Sequence, residues 1–137
     1  MSQENVEIVR RIYDEGLIDR DPEGWLLELA TSDIEYVNPP YAVEPGTRRG
    51  PVEVVRAMRG FAEVWENSRH ELHELFDGGD VVVASVSWYT RSRGSESELV
   101  QEEAHTWGLR KGRITRFEWG KDLGTALKAA GMRESAS

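Results

Sequence analysis

Apolar residues recur at Val6, Val9, Tyr13 and Leu17, a helical spacing that predicts a first helix. Ser2 is placed to cap it, and Glu4 falls in its first turn, where the helix dipole favours an acid. "DPEGWLLELA" predicts a second, short helix ending near Thr31, with Asp21 as N-cap and Pro22 at the first helical position, where its missing N–H costs nothing. The period then drops to two. "DIEYVN" alternates, so Ile34, Tyr36 and Asn38 share one face of a strand and Glu35 and Val37 the other. Residues 39–49, with three prolines and a glycine, read as a loop. Pro51 opens a third helix whose apolar stripe is Val54, Met58, Phe61 and Trp65, ending near Asn67.

Beyond that point the pattern is β throughout. "HELHELF", "DVVVASVSWYTR", "SELVQEEAHTWGLR" and "RITRFEWG" are separated by the turn signals "DGGD", "SRGSES" and "KG", which predicts a four-strand antiparallel meander. Asp122 can cap a last short helix, "DLGTALKAA", with Gly131 at its C-terminal end. Helices first and antiparallel strands afterwards predict an α+β fold, in which three helices of the N-terminal half cover one face of a curved sheet. At 137 residues the chain is expected to form one domain, 1–137, with its core at about residues 3–131.

The last hairpin decides which side chains face inward, and it admits two registers. A two-residue loop sets Trp107 beside Arg116 and His105 beside Glu118, a carboxylate–imidazole pair. A bulged loop with Gly112 in the left-handed conformation instead gathers His105, Trp107, Thr115, Phe117 and Trp119 on one face. The second segregates apolar from polar residues better and leaves Arg116 and Glu118 on the opposite face. His105 then points into a ring of aromatics, either as a core histidine satisfied by its neighbours or as an acid–base group.

Composition removes several function classes. A net charge of −8 and no cluster of Lys and Arg argue against nucleic acid and anionic membranes as partners. No apolar run approaches a membrane span, and "MSQENVEIVRR" lacks a signal-peptide layout, so a cytoplasmic protein is expected. With no cysteine there are no disulfides, thiolate nucleophiles or thiolate metal ligands. His70 and His73, three apart on a strand, point to opposite faces and cannot chelate one ion together, so no metal is expected. No phosphate-loop, dinucleotide or nucleophile-elbow motif is present, so no cofactor is expected either.

The order helix, helix, "DIEYVNPP", a loop to "RRGP", helix, and then a meander carrying "AHTWGLRKGRITRFEWGKD" resembles the SnoaL-like group of the nuclear transport factor 2-like fold, over about residues 3–131. The resemblance implies a cone-shaped sheet closed by three helices around an apolar pocket, and a homodimer formed through the outer face of the sheet. Members include polyketide cyclases, ketosteroid isomerases and limonene epoxide hydrolases, so fold does not fix function. Against the isomerase pattern, Tyr13 matches the oxyanion-hole tyrosine, Asn38 stands at the general base and His105 at the second aspartate. An amide does not accept a proton, the inward carboxylate of the cyclases has no counterpart on the last strand in the second register, and the Asp–Arg–Asp set of the hydrolases is missing. These departures favour a binding protein for a small apolar or polycyclic molecule, with Trp25, Tyr36, Trp65, Trp107, Phe117 and Trp119 lining the pocket. The alternative is an isomerase or cyclase in which His105 is the acid or base and Tyr13 and Asn38 hydrogen-bond the substrate.

Overall fold

The computed structural model describes residues 2–19, 22–62 and 65–132. Helix α1 spans Ser2–Asp14, a 3-10 turn follows at Leu17–Asp19, and helices α2 and α3 span Pro22–Leu29 and Pro51–Ala62. The strands are β1 Ala30–Asn38, β2 Gly46–Arg49, β3 Trp65–Asp77, β4 Val81–Ser92, β5 Leu99–Arg110 and β6 Arg113–Gly120, and helix α4 is Leu123–Ala129. This is the expected α+β fold, with α1, α2 and α3 packed on one side of an open six-stranded sheet of order β2-β1-β6-β5-β4-β3 and α4 against β4 and β5. The sheet is mixed, because β1 runs parallel to β6 while the other pairs are antiparallel. No helix among the described residues is long and apolar enough to cross a membrane.

Local sequence accounts for the element boundaries. Gly16 takes a left-handed φ of 65° and its N–H closes on the Tyr13 carbonyl, which ends α1 and turns Leu17 into the short 3-10 turn. Pro22 and Pro51 open their helices as expected. The caps expected of Ser2 and Asp21 fall on a side chain and a residue outside those described. Asp122 does cap α4, accepting from the Thr125 N–H and, at 2.8 Å, from its hydroxyl. Gly131 follows that helix at φ 77°.

Two expectations need correction. Residues 39–49 are not all loop: Gly46–Arg49 pairs antiparallel with β1, which a segment rich in proline concealed. Helix α3 ends at Ala62, and Trp65 already begins β3, opposite Ser92. Trp65 therefore lies on a strand and not on the helical stripe; its side chain is outside those described. Trp65 is of a type that favours a pleated strand, and here it is paired on β4.

The core sits between the helices and the inner face of the sheet. Val9, Ile12, Leu26, Ile34, Val54, Val82, Val86 and Ile114 are fully or almost fully buried, each contributing roughly 1.5–3 kcal/mol of transfer free energy. Asn5 carries α1 to the β3–β4 turn by donating to the Gly79 carbonyl at 2.9 Å.

Candidate functional site

The β5–β6 hairpin pairs His105 with Trp119 and Trp107 with Phe117, the register that brings the aromatics together. The device differs from the one expected. The loop is two residues, Lys111 and Gly112, both at positive φ, and the one-residue shift lies further along, between Gly108 and Leu109, where Thr115 is the extra residue on β6. Thr115 consequently does not face inward: its hydroxyl sits 3.0 Å from where a Cβ on Gly108 would be, and it lines an open outer groove with Asp33, Glu35, Arg49 and Arg116. Arg116 and Glu118 form an ion pair on that outer side.

Strand alternation now fixes what points inward from β5. Gln101, Glu103, His105, Trp107 and Leu109 share a face, and Glu103, His105 and Trp107 are buried at 7%, 1% and 0% exposure. Tyr13 reaches them from α1. Its hydroxyl lies 2.6 Å from His105 Nδ1 and accepts from Trp107 Nε1 at 2.9 Å, while His105 Nε2 lies 2.8 Å from Glu103 Oε1 and Gln101 donates to Glu103 Oε2 at 2.6 Å. Donor chemistry orders the protons. A carboxylate only accepts, so the imidazole proton is on Nε2, Nδ1 accepts from the tyrosine, and the phenol oxygen accepts from the indole. The result is a directed chain from Trp107 through Tyr13 and His105 to Glu103.

Burial sets the electrostatics. It pushes the His105 pKa below the usual histidine value, with Glu103 opposing, so the ring is neutral near pH 7. It pushes the Tyr13 phenol well above its ordinary value, an effect the Trp107 hydrogen bond only partly offsets, so Tyr13 is a proton-bearing donor. Tyr36 is raised to about 12, first by burial and then by the charge of Glu103, which places that charge within electrostatic reach of β1. Because the folded value exceeds the unfolded value of about 10, the contribution is complete below pH 10 and is lost as pH rises toward 12. Urea midpoints from pH 9 to 11.5 should therefore decline, by at most about 1.4 kcal/mol per pH unit from this group, and Tyr36→Phe should flatten the decline.

His70 enters from β3. Paired with Trp88 on β4 and stacked on its indole, it gives its Nδ1 and its backbone N–H to Asp19 at 2.8 and 3.0 Å. Its ring meets that of His105 edge-on, at 5.4 Å between centroids. His73 lies on the other face, against Ser87, so the expectation that the two histidines diverge holds. What sequence reasoning missed is a different grouping, His70 with Glu103 and His105. The signal was available: once His105 points inward, a period of two takes Glu103 inward as well.

The expected pocket residues divide. Tyr13, Trp25, Trp107, Phe117 and His105 form one continuous set of ring contacts, and Tyr36 joins through Phe117. Trp25 is buried, and its indole N–H has no acceptor among the described residues. Asn38 is at the end of β1, where its amide accepts from Trp119 Nε1 at 2.6 Å and donates to the Glu44 carbonyl at 2.8 Å. That explains the amide: the position needs a donor and an acceptor at once. Asn38→Asp should keep the Trp119 bond but set a carboxylate against the Glu44 carbonyl, costing about 1–3 kcal/mol in chemical denaturation.

A six-stranded mixed sheet under an N-terminal helical layer, with a buried phenol–imidazole–carboxylate chain, defines an α+β domain of the NTF2-like class. Residues 9–117 match the model of the SnoaL-like domain, and the chain belongs to that family. Among solved structures, it is similar to a putative SnoaL-like polyketide cyclase from Jannaschia sp. CCS1, at 18% identity over 93% of this chain and 91% of that one, with a TM-score of 0.75. It is also similar to TerC co-crystallized with polyporic acid, at 25% identity, 93% and 98% coverage and a TM-score of 0.73. A third is a hypothetical protein with a ketosteroid isomerase-like fold from Catenulispora acidiphila DSM 44928, in complex with trimethylamine, at 19% identity, 92% and 93% coverage and a TM-score of 0.72. No curated protein matches the chain.

Proposed function

We propose that this protein binds a small, mainly apolar molecule bearing a carbonyl oxygen and moves a proton on it, in the manner of an isomerase or cyclase. The observation that carries the reading is the buried chain Tyr13–His105–Glu103. The sequence favoured a pure binding protein because no inward carboxylate was in view; Glu103 removes that reason. In this reading Glu103 takes the proton α to the carbonyl, and the Tyr13 hydroxyl turns from His105 to the carbonyl oxygen as charge develops there. His105 and Gln101 hold the carboxylate in place. The N–H of Trp25, whose ring meets Trp107 and which has no acceptor among the described residues, supports a second polar contact for the same ligand. The partly exposed rings of Tyr36 and Trp119 supply the apolar entrance.

The same reading includes a cytoplasmic homodimer formed through the outer face of the sheet, where Val100 is 55% exposed.

The test is deuterium incorporation from D2O into a panel of cyclic ketones and diketones, followed by NMR alongside binding titrations. Incorporation well above the buffer rate supports the reading. Saturable binding with no incorporation leaves a binding protein, and neither binding nor incorporation across the panel rejects the ligand class itself.

A further inference from the structure

The charge balance around Glu103 points to a second kind of occupant. The side chain is 5% exposed, and among the described residues it has no lysine or arginine within ion-pair distance; its only partners are the N–H groups of His105 and Gln101. A buried anion without a positive charge beside it is costly, and such groups are ordinarily paired or bound to a metal. Two histidines stand next to this one. A donor atom from each of His70, Glu103 and His105 lies within 4.8 Å of the other two.

We propose that His70, Glu103 and His105 form a three-ligand site for a divalent first-row transition ion such as Zn2+. Two imidazoles and a carboxylate with no sulfur suit zinc in a site that keeps one position open, and Fe2+ or Co2+ in an expanded shell. Metal–ligand bonds of about 2.0–2.1 Å put tetrahedral donors roughly 3.3 Å apart. The His105–Glu103 contact of 2.8 Å must open slightly and His70 must close by at most about 1.5 Å, which side-chain torsions supply.

Each ligand already has the outer partner such sites require. Asp19 accepts from His70 Nδ1, Gln101 donates to Glu103, and the Tyr13 oxygen faces His105 Nδ1. Coordination through His105 Nε2 moves the imidazole proton to Nδ1, and the ring releases no net proton; the Tyr13 O–H must then turn away from the ring so that its oxygen accepts from Nδ1 through the lone pair that Trp107 leaves free. The ion takes the place now held by the proton between Nε2 and Oε1. The inference does not depend on the proposed reaction, since it is read without any organic ligand.

The experiment uses the full chain without a histidine tag, stripped with chelator and titrated with Zn2+ and then Co2+ by calorimetry. The protein has three histidines, so side-chain NMR of wild type reports the site directly. One ion per chain is expected, with the ring resonances of His70 and His105 shifted and those of His73 unmoved. Asp19→Asn should weaken binding by roughly 10–100-fold, and His70→Gln by at least about as much. The proposal is overturned by no stoichiometric binding of either ion, by shifts confined to His73 or spread over all three rings, or by undiminished affinity in folded His70→Gln protein.

Discussion

Glu103→Gln lowers the rate of deuterium incorporation into a bound ketone by about 10²–10⁴-fold, the range for losing a positioned general base, while ligand affinity changes by no more than roughly threefold. The substitution keeps shape and removes basicity. The Gln carbonyl still accepts from His105 Nε2 along the present 2.8 Å contact, and Gln101 can rotate its amide to offer an oxygen to the new NH2 group. Glu103→Leu is the wrong control, because it strands the His105 N–H in an apolar interior at a cost of about 1–3 kcal/mol and mixes folding with chemistry. Tyr13→Phe tests the other end. It retains ring packing against Trp107 but leaves the indole N–H and His105 Nδ1 without their shared partner. Incorporation at the wild-type rate in folded Glu103→Gln protein would make the carboxylate a structural hydrogen-bond acceptor and pass the role of base to another group, His105 first.

The parts of the fold that were legible in the sequence are those with a strong period or an unambiguous punctuator. Pro22 and Pro51 open helices, Asp122 and Gly131 bracket the last one, and the two glycine-containing turns "DGGD" and "KG" separate paired strands. Strand β2 was hidden because its four residues, Gly-Thr-Arg-Arg, show no apolar alternation; they pair with β1 at the edge of the sheet, where burial demands none. The end of α3 was misplaced because Phe61 and Trp65 continue a helical stripe by spacing, while the pairing of Trp65 with Ser92 is a long-range fact that spacing cannot express. The hairpin shows how a right face can follow from a different mechanism. Segregation of apolar from polar residues selected the face, but the shift comes from the extra residue Thr115 and not from the loop, so Thr115 itself landed outside.

The site was half legible for a related reason. Tyr13, His105 and Trp107 stand out as polar or aromatic groups at inward positions, and the structure joins them by hydrogen bonds. Glu103 sits in "QEEAH", where two adjacent acids look like surface, yet strand geometry sends Glu102 out and Glu103 in. His70 required knowledge of strand order, since β4 lies between it and β5. Asn38 was legible as the departure from the isomerase pattern, and the structure supplies the physical cause: the amide joins Trp119 on β6 to the loop after β1.

Trp107→Ala should cost about 3–5 kcal/mol and lower the thermal midpoint by roughly 10–20 °C, which is a large share of the 5–15 kcal/mol that holds an average domain together. Trp107 is fully buried, its ring lies against Phe117 at 4.5 Å, Tyr13 at 6.0 Å and Trp25 at 6.3 Å, and its N–H begins the proton-bearing chain. Truncation removes most of that apolar area and leaves a space the rigid sheet closes only in part. Trp107→Phe separates the two roles, since it keeps a ring in place and deletes the donor; its cost should stay near 1–3 kcal/mol. Urea denaturation of both variants with and without an apolar ligand decides what the aromatic cluster is for. If Trp107→Ala loses the full amount and a small apolar molecule restores part of it, the ring was filling the core, and the ligand site of the native protein lies nearer Tyr36 and Trp119. If the loss stays below about 1.5 kcal/mol, far under the cost of emptying a packed interior, the ring borders space that already exists, and the cluster around Tyr13, Trp25 and His105 is itself the wall of the ligand pocket.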